Sequence, residues 1–165
     1  MKIKALSILL SLILTLTLIS LAVVLTLACK PLYYLDIHAL HIPETTGYTI
    51  SEIKANYDAV INYSLSFGNA PLEFPTFPMS ESGRIHFKEV KNIFNLFKYM
   101  AIFGTLAGAV GILRQRRKQS YGYLKLTAIL TVSLPAVIGA TVALNWDWTF
   151  AAFHELAFNN DYWLF

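Results

Sequence analysis

The chain has 165 residues: 56% are hydrophobic, 14% aromatic and only 14% charged, with a formal net charge of +3. A soluble domain averages about 45–50% apolar and about 25% charged residues. The length admits one domain, 1–165, and the composition excludes an ordinary soluble enzyme and a disordered chain.

The apolar residues fall into membrane-length runs. Residues 5–29 carry no charged side chain, which is enough to cross about 30 Å of hydrocarbon at about 1.5 Å per residue. A second span is predicted at 93–113, interrupted by Lys98, and a third at 126–144, with Pro135 in its middle. A proline inside a span is tolerated where neighbouring helices re-satisfy the freed carbonyl. The expected fold class is an all-α membrane protein, a helical bundle with three spans.

Orientation follows from the basic residues. Lys2 and Lys4 precede the first span, and Arg114, Arg116, Arg117 and Lys118 lie between the second and third, with Lys125 just beyond. The positive-inside rule makes both sets, and hence the N-terminus, cytoplasmic. Residues 30–92 then form an extracytoplasmic, membrane-apposed segment, and 145–165 also face outward. The Arg114–Lys118 run reads as a juxtamembrane anchor in preference to a nucleic-acid patch, so no nucleic-acid partner is expected.

The first apolar run exceeds the 7–15 residues usual in a cleaved signal, which favours a membrane anchor. Leu25-Thr-Leu-Ala-Cys29 is an imperfect lipobox, since Thr26 and Leu27 depart from its order. A lone cysteine makes no internal disulfide, and at a span end it reads as a small apolar residue. Beyond it, Thr49-Ile-Ser-Glu52 fits a capping box. Ile53, Tyr57, Val60, Ile61 and Leu65 follow on one helical face. Pro71 to Pro78 contains three prolines and predicts an extended, aromatic loop. Ser80 or Ser82 caps a helix that runs through His86 and Glu89 into the second span. Gly104, Gly108 and Gly111 give that span a small-residue stripe suited to close helix packing.

The C-terminal stretch from Asn145 places Phe150, Phe153, His154, Ala157 and Phe158 on one helical face. Trp146, Trp148, Tyr162 and Trp163 suit the headgroup region, so an interfacial amphipathic helix is expected.

No GxSxG, HExxH, CxxC or glycine-rich phosphate loop occurs. The candidates for chemistry are the ionisable residues near the outward face: His38, His41, His86 and His154, with Glu89, Asp147, Glu155 and Asp161. Histidine exchanges protons near neutral pH and is the default general acid or base. A plain amphipathic anchoring role stands beside that reading for each. His38-x-x-His41 has the spacing of a metal pair, but a solvated helical turn is the plainer reading, so no metal is expected.

Two stretches carry a resemblance. One is Phe74-Pro-Thr-Phe-Pro-Met-Ser-Glu-Ser-Gly-Arg-Ile-His-Phe-Lys-Glu-Val-Lys-Asn-Ile-Phe94, and the other runs from Asp147-Trp-Thr-Phe-Ala-Ala-Phe-His to Phe165. With the basic residues between spans, they resemble the lipoprotein intramolecular transacylases of Gram-positive bacteria over essentially the whole chain. The resemblance implies transfer of the sn-2 acyl chain of a diacylglyceryl-cysteine to its α-amino group, giving an N-acyl lyso-form lipoprotein. It implies a multi-pass enzyme of the bacterial cell membrane, with its active site outward. It also implies a monomer surrounded by membrane lipids, with a diacylglyceryl lipoprotein as substrate and no cofactor. The family's paired histidines map onto His86 and His154. Arg84, Glu89, Asp147 and Phe153 are candidates for orienting an imidazole or binding substrate. The family pattern continues beyond Phe165 into a fourth span. A non-enzymatic membrane protein that binds a partner or senses envelope state is the alternative; a metal-dependent hydrolase would need a carboxylate-rich cluster.

Overall fold

The computed structural model describes residues 5–164; Lys2 and Lys4 lie outside that range. Among the described residues there are seven helices and no strands. They are α1 (Ala5–Ala28), α2 (Lys30–Ala39), α3 (Ile42–Thr46), α4 (Ile50–Leu65), α5 (Glu81–Arg117), α6 (Gly122–Leu144) and α7 (Trp146–Ala157). Helices α1, α5 and α6 are long and apolar enough to cross a membrane. The chain divides into two compact units. One holds the chain through Val23 with Phe97–Asn159; the other holds Val24–Leu96 with the chain from Asn160 onward.

In the first unit, α1 is packed by its polar residues. It buries Ser7, Ser11, Thr15, Thr17 and Ser20 with Leu10, while Leu9 and Leu16 are 55% and 50% exposed. Lipid tails are as apolar as leucine, so helices in a bilayer associate through small residues and interhelical hydrogen bonds. Gln115 Nε2 of α5 donates to Ser7 Oγ at 2.8 Å. Ser11 Oγ shares its proton between the carbonyls of Ser7 (2.8 Å) and Tyr123 (3.0 Å), which joins α1 to α6.

The glycine stripe of α5 faces α1. A Cβ added to Gly108 would lie 2.8 Å from Leu14 Cδ2, and one on Gly111 would lie 2.5 Å from Leu10 Cδ1. One on Gly104 would run into the Thr17 hydroxyl. Helix α6 starts four residues before the predicted boundary and continues through Pro135. Asn145 caps α7, its Oδ1 accepting the Trp148 N–H at 3.0 Å.

In the second unit, α4 opens with the expected capping box. Thr49 Oγ1 accepts from the Glu52 N–H at 3.3 Å, and Glu52 Oε2 accepts from the Thr49 N–H at 2.9 Å. The buried face of α4 is Ile53, Asn56, Ile61 and Ser64, so it is more polar than the predicted stripe; Tyr57, Val60 and Leu65 are half-buried.

Helices α2 and α3 are additions to the sequence reading. Pro31 and Pro43 sit in their first turns, where a missing N–H costs nothing. Helix α2 is clamped to α4 by Tyr33 stacked on Tyr57 at 4.0 Å, and by the Tyr34 hydroxyl donating to Asp58 Oδ1 at 2.6 Å. That carboxylate holds the Tyr34 phenol above its ordinary pKa. Lys30 Nζ lies 3.2 Å from the same Asp58 oxygen. Helix α5 begins after Ser80, whose Oγ accepts the Gly83 N–H at 3.0 Å, and continues unbroken for 37 residues.

Gly104→Leu is expected to destabilise the protein by about 1–3 kcal/mol through overpacking against α1. Gly139→Leu, where an added Cβ meets nothing within 4 Å, is expected to leave thermal unfolding in detergent unchanged.

Candidate active site

The aromatic loop before α5 is held by one side chain. Asn56 is fully buried on α4. Its Nδ2 donates to the Glu52 carbonyl at 2.7 Å and to Thr76 Oγ1 at 2.6 Å. Its Oδ1 accepts the N–H groups of Thr76 (3.2 Å) and Phe77 (3.1 Å). All the hydrogen-bonding capacity of one amide is therefore used. The loop then lays Phe74 edge-on to Phe87 of α5, at 5.8 Å and 80°, while Phe77 contacts Tyr48 at 4.5 Å.

His86 occupies the second turn of α5 and is 7% exposed. Glu89 follows three residues later on the same face. Its Oε1 accepts from Asn160 Nδ2 at 2.8 Å, and its Oε2 is buried without a hydrogen-bond partner among the described residues. Arg84 is two residues from His86, about 200° around the helix. It is exposed and lies 3.5 Å from Glu81.

His154 is on α7 in the first unit and is 9% exposed. Its Nδ1 lies 2.8 Å from the Phe150 carbonyl oxygen. A carbonyl only accepts, so this geometry assigns the Nδ1–H tautomer and places the lone pair of the neutral ring on Nε2. Phe150 (4.0 Å), Phe153 (5.2 Å, 88°) and Phe158 (5.5 Å) wall the ring. The structure thus sets Phe153 against His154. Asp147 stands exposed in the first turn of α7, about two turns from His154. The orienting group at His154 is a backbone carbonyl. Helical spacing puts Phe150 four residues back, which is the readable signal for it.

The remaining candidates are dispersed. His38 lies in the last turn of α2, and His41 adopts a left-handed conformation (φ 50°) between α2 and α3. Cys29 is an exposed thiol at the start of α2. Among the described residues no three His, Cys, Asp or Glu side chains are grouped to hold a metal.

Asn56→Ala is expected to cost about 2–4 kcal/mol, because it strips partners from two loop amides at once. Hydrogen exchange at Thr76 and Phe77 checks this: protection there should be lost, while that of the spans is retained.

Three membrane-length helices and two buried imidazoles define a membrane-integral protein equipped for proton transfer. A family profile described as lipoprotein intramolecular transacylase Lit matches residues 8–165. Similar solved structures include the membrane-integral lipoprotein intramolecular transacylase Lit from Bacillus cereus. It is 34% identical, with a TM-score of 0.92 over 97% of this chain and 74% of that one. Two further structures of the Bacillus cereus protein carry a histidine-to-arginine or a histidine-to-alanine substitution. Each is 34% identical with a TM-score of 0.86, over 97% of this chain and 71% or 73% of theirs. No curated protein sequence matches the chain. The chain belongs to the lipoprotein intramolecular transacylase family and is an acyltransferase.

Proposed function

We propose that the transferred group is the sn-2 acyl chain of a diacylglyceryl-cysteine, and that the acceptor is the α-amino group of that same cysteine. The catalytic residues in this reading are His86 and His154. The observation that carries it is the hydrogen bond from His154 Nδ1–H to the Phe150 carbonyl. A buried imidazole held in one tautomer presents Nε2 for proton transfer and keeps an acceptor for Nδ1–H when the ring is protonated.

The substrate carries both reactants on one cysteine. Attack is then intramolecular, and positioning alone supplies several kcal/mol of the barrier. The nucleophile arrives as an ammonium. His86 removes one proton, which passes to solvent, and the amine attacks the ester carbonyl. The N–C bond forms as the C=O π pair moves onto oxygen. Collapse of the tetrahedral intermediate breaks the bond between the acyl carbon and the glyceryl oxygen. The second nitrogen proton replaces that bond on the leaving oxygen, delivered through His154. Glu89, on the His86 face of α5, orients that imidazole; Phe153 shapes the wall beside His154. Asp147 is exposed, and contact with the substrate backbone is the role left to it; Arg84, about 200° around α5 from His86, has no role in this reading.

The basic residues support an N-terminus in the cytoplasm and a reaction at the outer face of the cell membrane. The protein acts as a monomer among membrane lipids.

A synthetic lipopeptide with different sn-1 and sn-2 chains tests the reading. Fragmentation mass spectrometry is expected to find the sn-2 chain on the cysteine nitrogen; finding the sn-1 chain there would overturn it. His86→Ala and His154→Ala are each expected to lower turnover by about 10²–10⁴-fold. Wild-type turnover in either variant would remove that histidine from the mechanism.

A further inference from the structure

On the side of α5 away from His86 the second unit holds a polar cavity of about 470 Å³, within the range of small-ligand sites. Its floor is one stripe of the helix: Arg84, Lys88, Lys91 and Asn95, at the i, i+4, i+7 and i+11 positions of a single face. Tyr63 of α4 and the segment from Gly68 to Leu72 form its walls.

Lys91 is the anomaly. It is 5% exposed. Its ammonium donates to Ser66 Oγ at 2.8 Å and to the Gly68 carbonyl at 2.7 Å, and lies 4.1 Å from the centre of the Tyr63 ring. All three partners are neutral, and among the described residues no carboxylate pairs with it. A buried charge is ordinarily matched by an opposite one, because desolvation costs several kcal/mol per ion. No acidic residue lines the cavity. Glu81, 3.5 Å from Arg84, is itself exposed. Three cations thus converge on a space that contributes no anion. Asn95 adds a second irregularity: its Oδ1 is buried with no hydrogen-bond partner among the described residues. An amide oxygen accepts from an O–H or N–H donor, so a ligand that carries both a negative charge and a hydroxyl would match this lining.

We propose that this cavity binds the phosphate of an anionic glycerophospholipid headgroup, with Lys88 and Lys91 on the phosphate oxygens and Asn95 accepting from a headgroup hydroxyl. Arg84 supplies further positive charge at the mouth. A phosphate gives charge-assisted hydrogen bonds to ammonium and guanidinium groups at once, and phosphatidylglycerol carries the hydroxyls as well. The cavity lies where α5 enters its charge-poor stretch at Ile93, the level at which a headgroup meets a span. A diacylglyceryl-cysteine carries no phosphate, so this is a different ligand from the substrate, and its test does not depend on the transfer reaction.

The test is binding to the delipidated full chain in detergent, read by native mass spectrometry and thermal shift. The probes are phosphatidylglycerol, zwitterionic phosphatidylcholine and inorganic phosphate. Phosphatidylglycerol is expected to bind saturably and raise the unfolding temperature, and phosphatidylcholine to bind at least about tenfold more weakly. Lys88→Gln and Lys91→Met are each expected to weaken phosphatidylglycerol binding about tenfold or more, the loss of one charged hydrogen bond. Excess inorganic phosphate is expected to displace the lipid. Lys88 is exposed, so its variant keeps the test decisive if Lys91→Met fails to fold. Equal binding of the two lipids, or unchanged binding in Lys88→Gln, would overturn the proposal. Charge-dependent binding of inorganic phosphate without binding of phosphatidylglycerol would assign the cavity to a free phosphate and overturn the lipid source.

Discussion

A helix of 37 residues at 1.5 Å per residue is about 55 Å long, and the hydrocarbon of a bilayer is about 30 Å thick. That mismatch is the constraint behind much of the chemistry. Once the apolar part of α5 is placed in lipid, more than three turns are left over. Those turns carry Arg84, His86, Glu89 and Lys91. An unbroken helix is a rigid support, and its backbone amides are paired internally whatever the surrounding solvent. The same geometry sorts its side chains: residues two apart point to nearly opposite sides, so one stretch of helix serves an imidazole–carboxylate face and a cationic face.

The packing of α1 shows how such a support is held. Apart from Leu10 and Leu14, which meet the α5 glycines, its leucines are largely exposed to lipid, and the hydroxyls of Ser7, Ser11, Thr15, Thr17 and Ser20 are buried. In water this would be an inside-out helix; in lipid it is the stable arrangement, because leucine gains nothing by leaving the tails. The hydroxyls of Ser7 and Ser11 reach Gln115 of α5 and the Tyr123 carbonyl of α6. The glycines of α5 allow the close approach that these short side chains require. Small residues and short-range hydrogen bonds are thus two parts of one design.

What the sequence made legible is what rests on local rules. Charge-free length located the spans, the Thr49–Glu52 pair located the start of α4, and a serine before a helix-forming run located the start of α5. The prolines of 71–78 kept that loop out of a helix. Helices α2 and α3 are short and carry Pro31 and Pro43 in their first turns, where a proline is a start signal that no apolar periodicity reports. Asn56 was missed because its partners at Thr76 and Phe77 lie about 20 residues away, and no periodicity reports a contact of that range. His154 was found from its helical face, but the carbonyl that fixes its tautomer is backbone, which carries no side-chain identity. The Arg84, Lys88 and Lys91 stripe was readable in spacing. Its significance came only with the burial of the lysine, a property of the folded unit.

Asn56 has a further consequence, in the chemical ageing of the protein. Deamidation replaces its NH2 by oxygen. The group now donating to the Glu52 carbonyl and to Thr76 would become an acceptor facing a carbonyl oxygen, and a negative charge would be buried with it. Deamidation needs the next residue's backbone nitrogen to fold back onto the side-chain carbonyl carbon. Asn56 lies inside α4, where the Tyr57 nitrogen is held in the helix and the amide is engaged at both ends. The bonds that hold the aromatic loop therefore also protect the amide that makes them. A locally unfolded α4 loses both safeguards together, so any damage begun by fraying would become permanent.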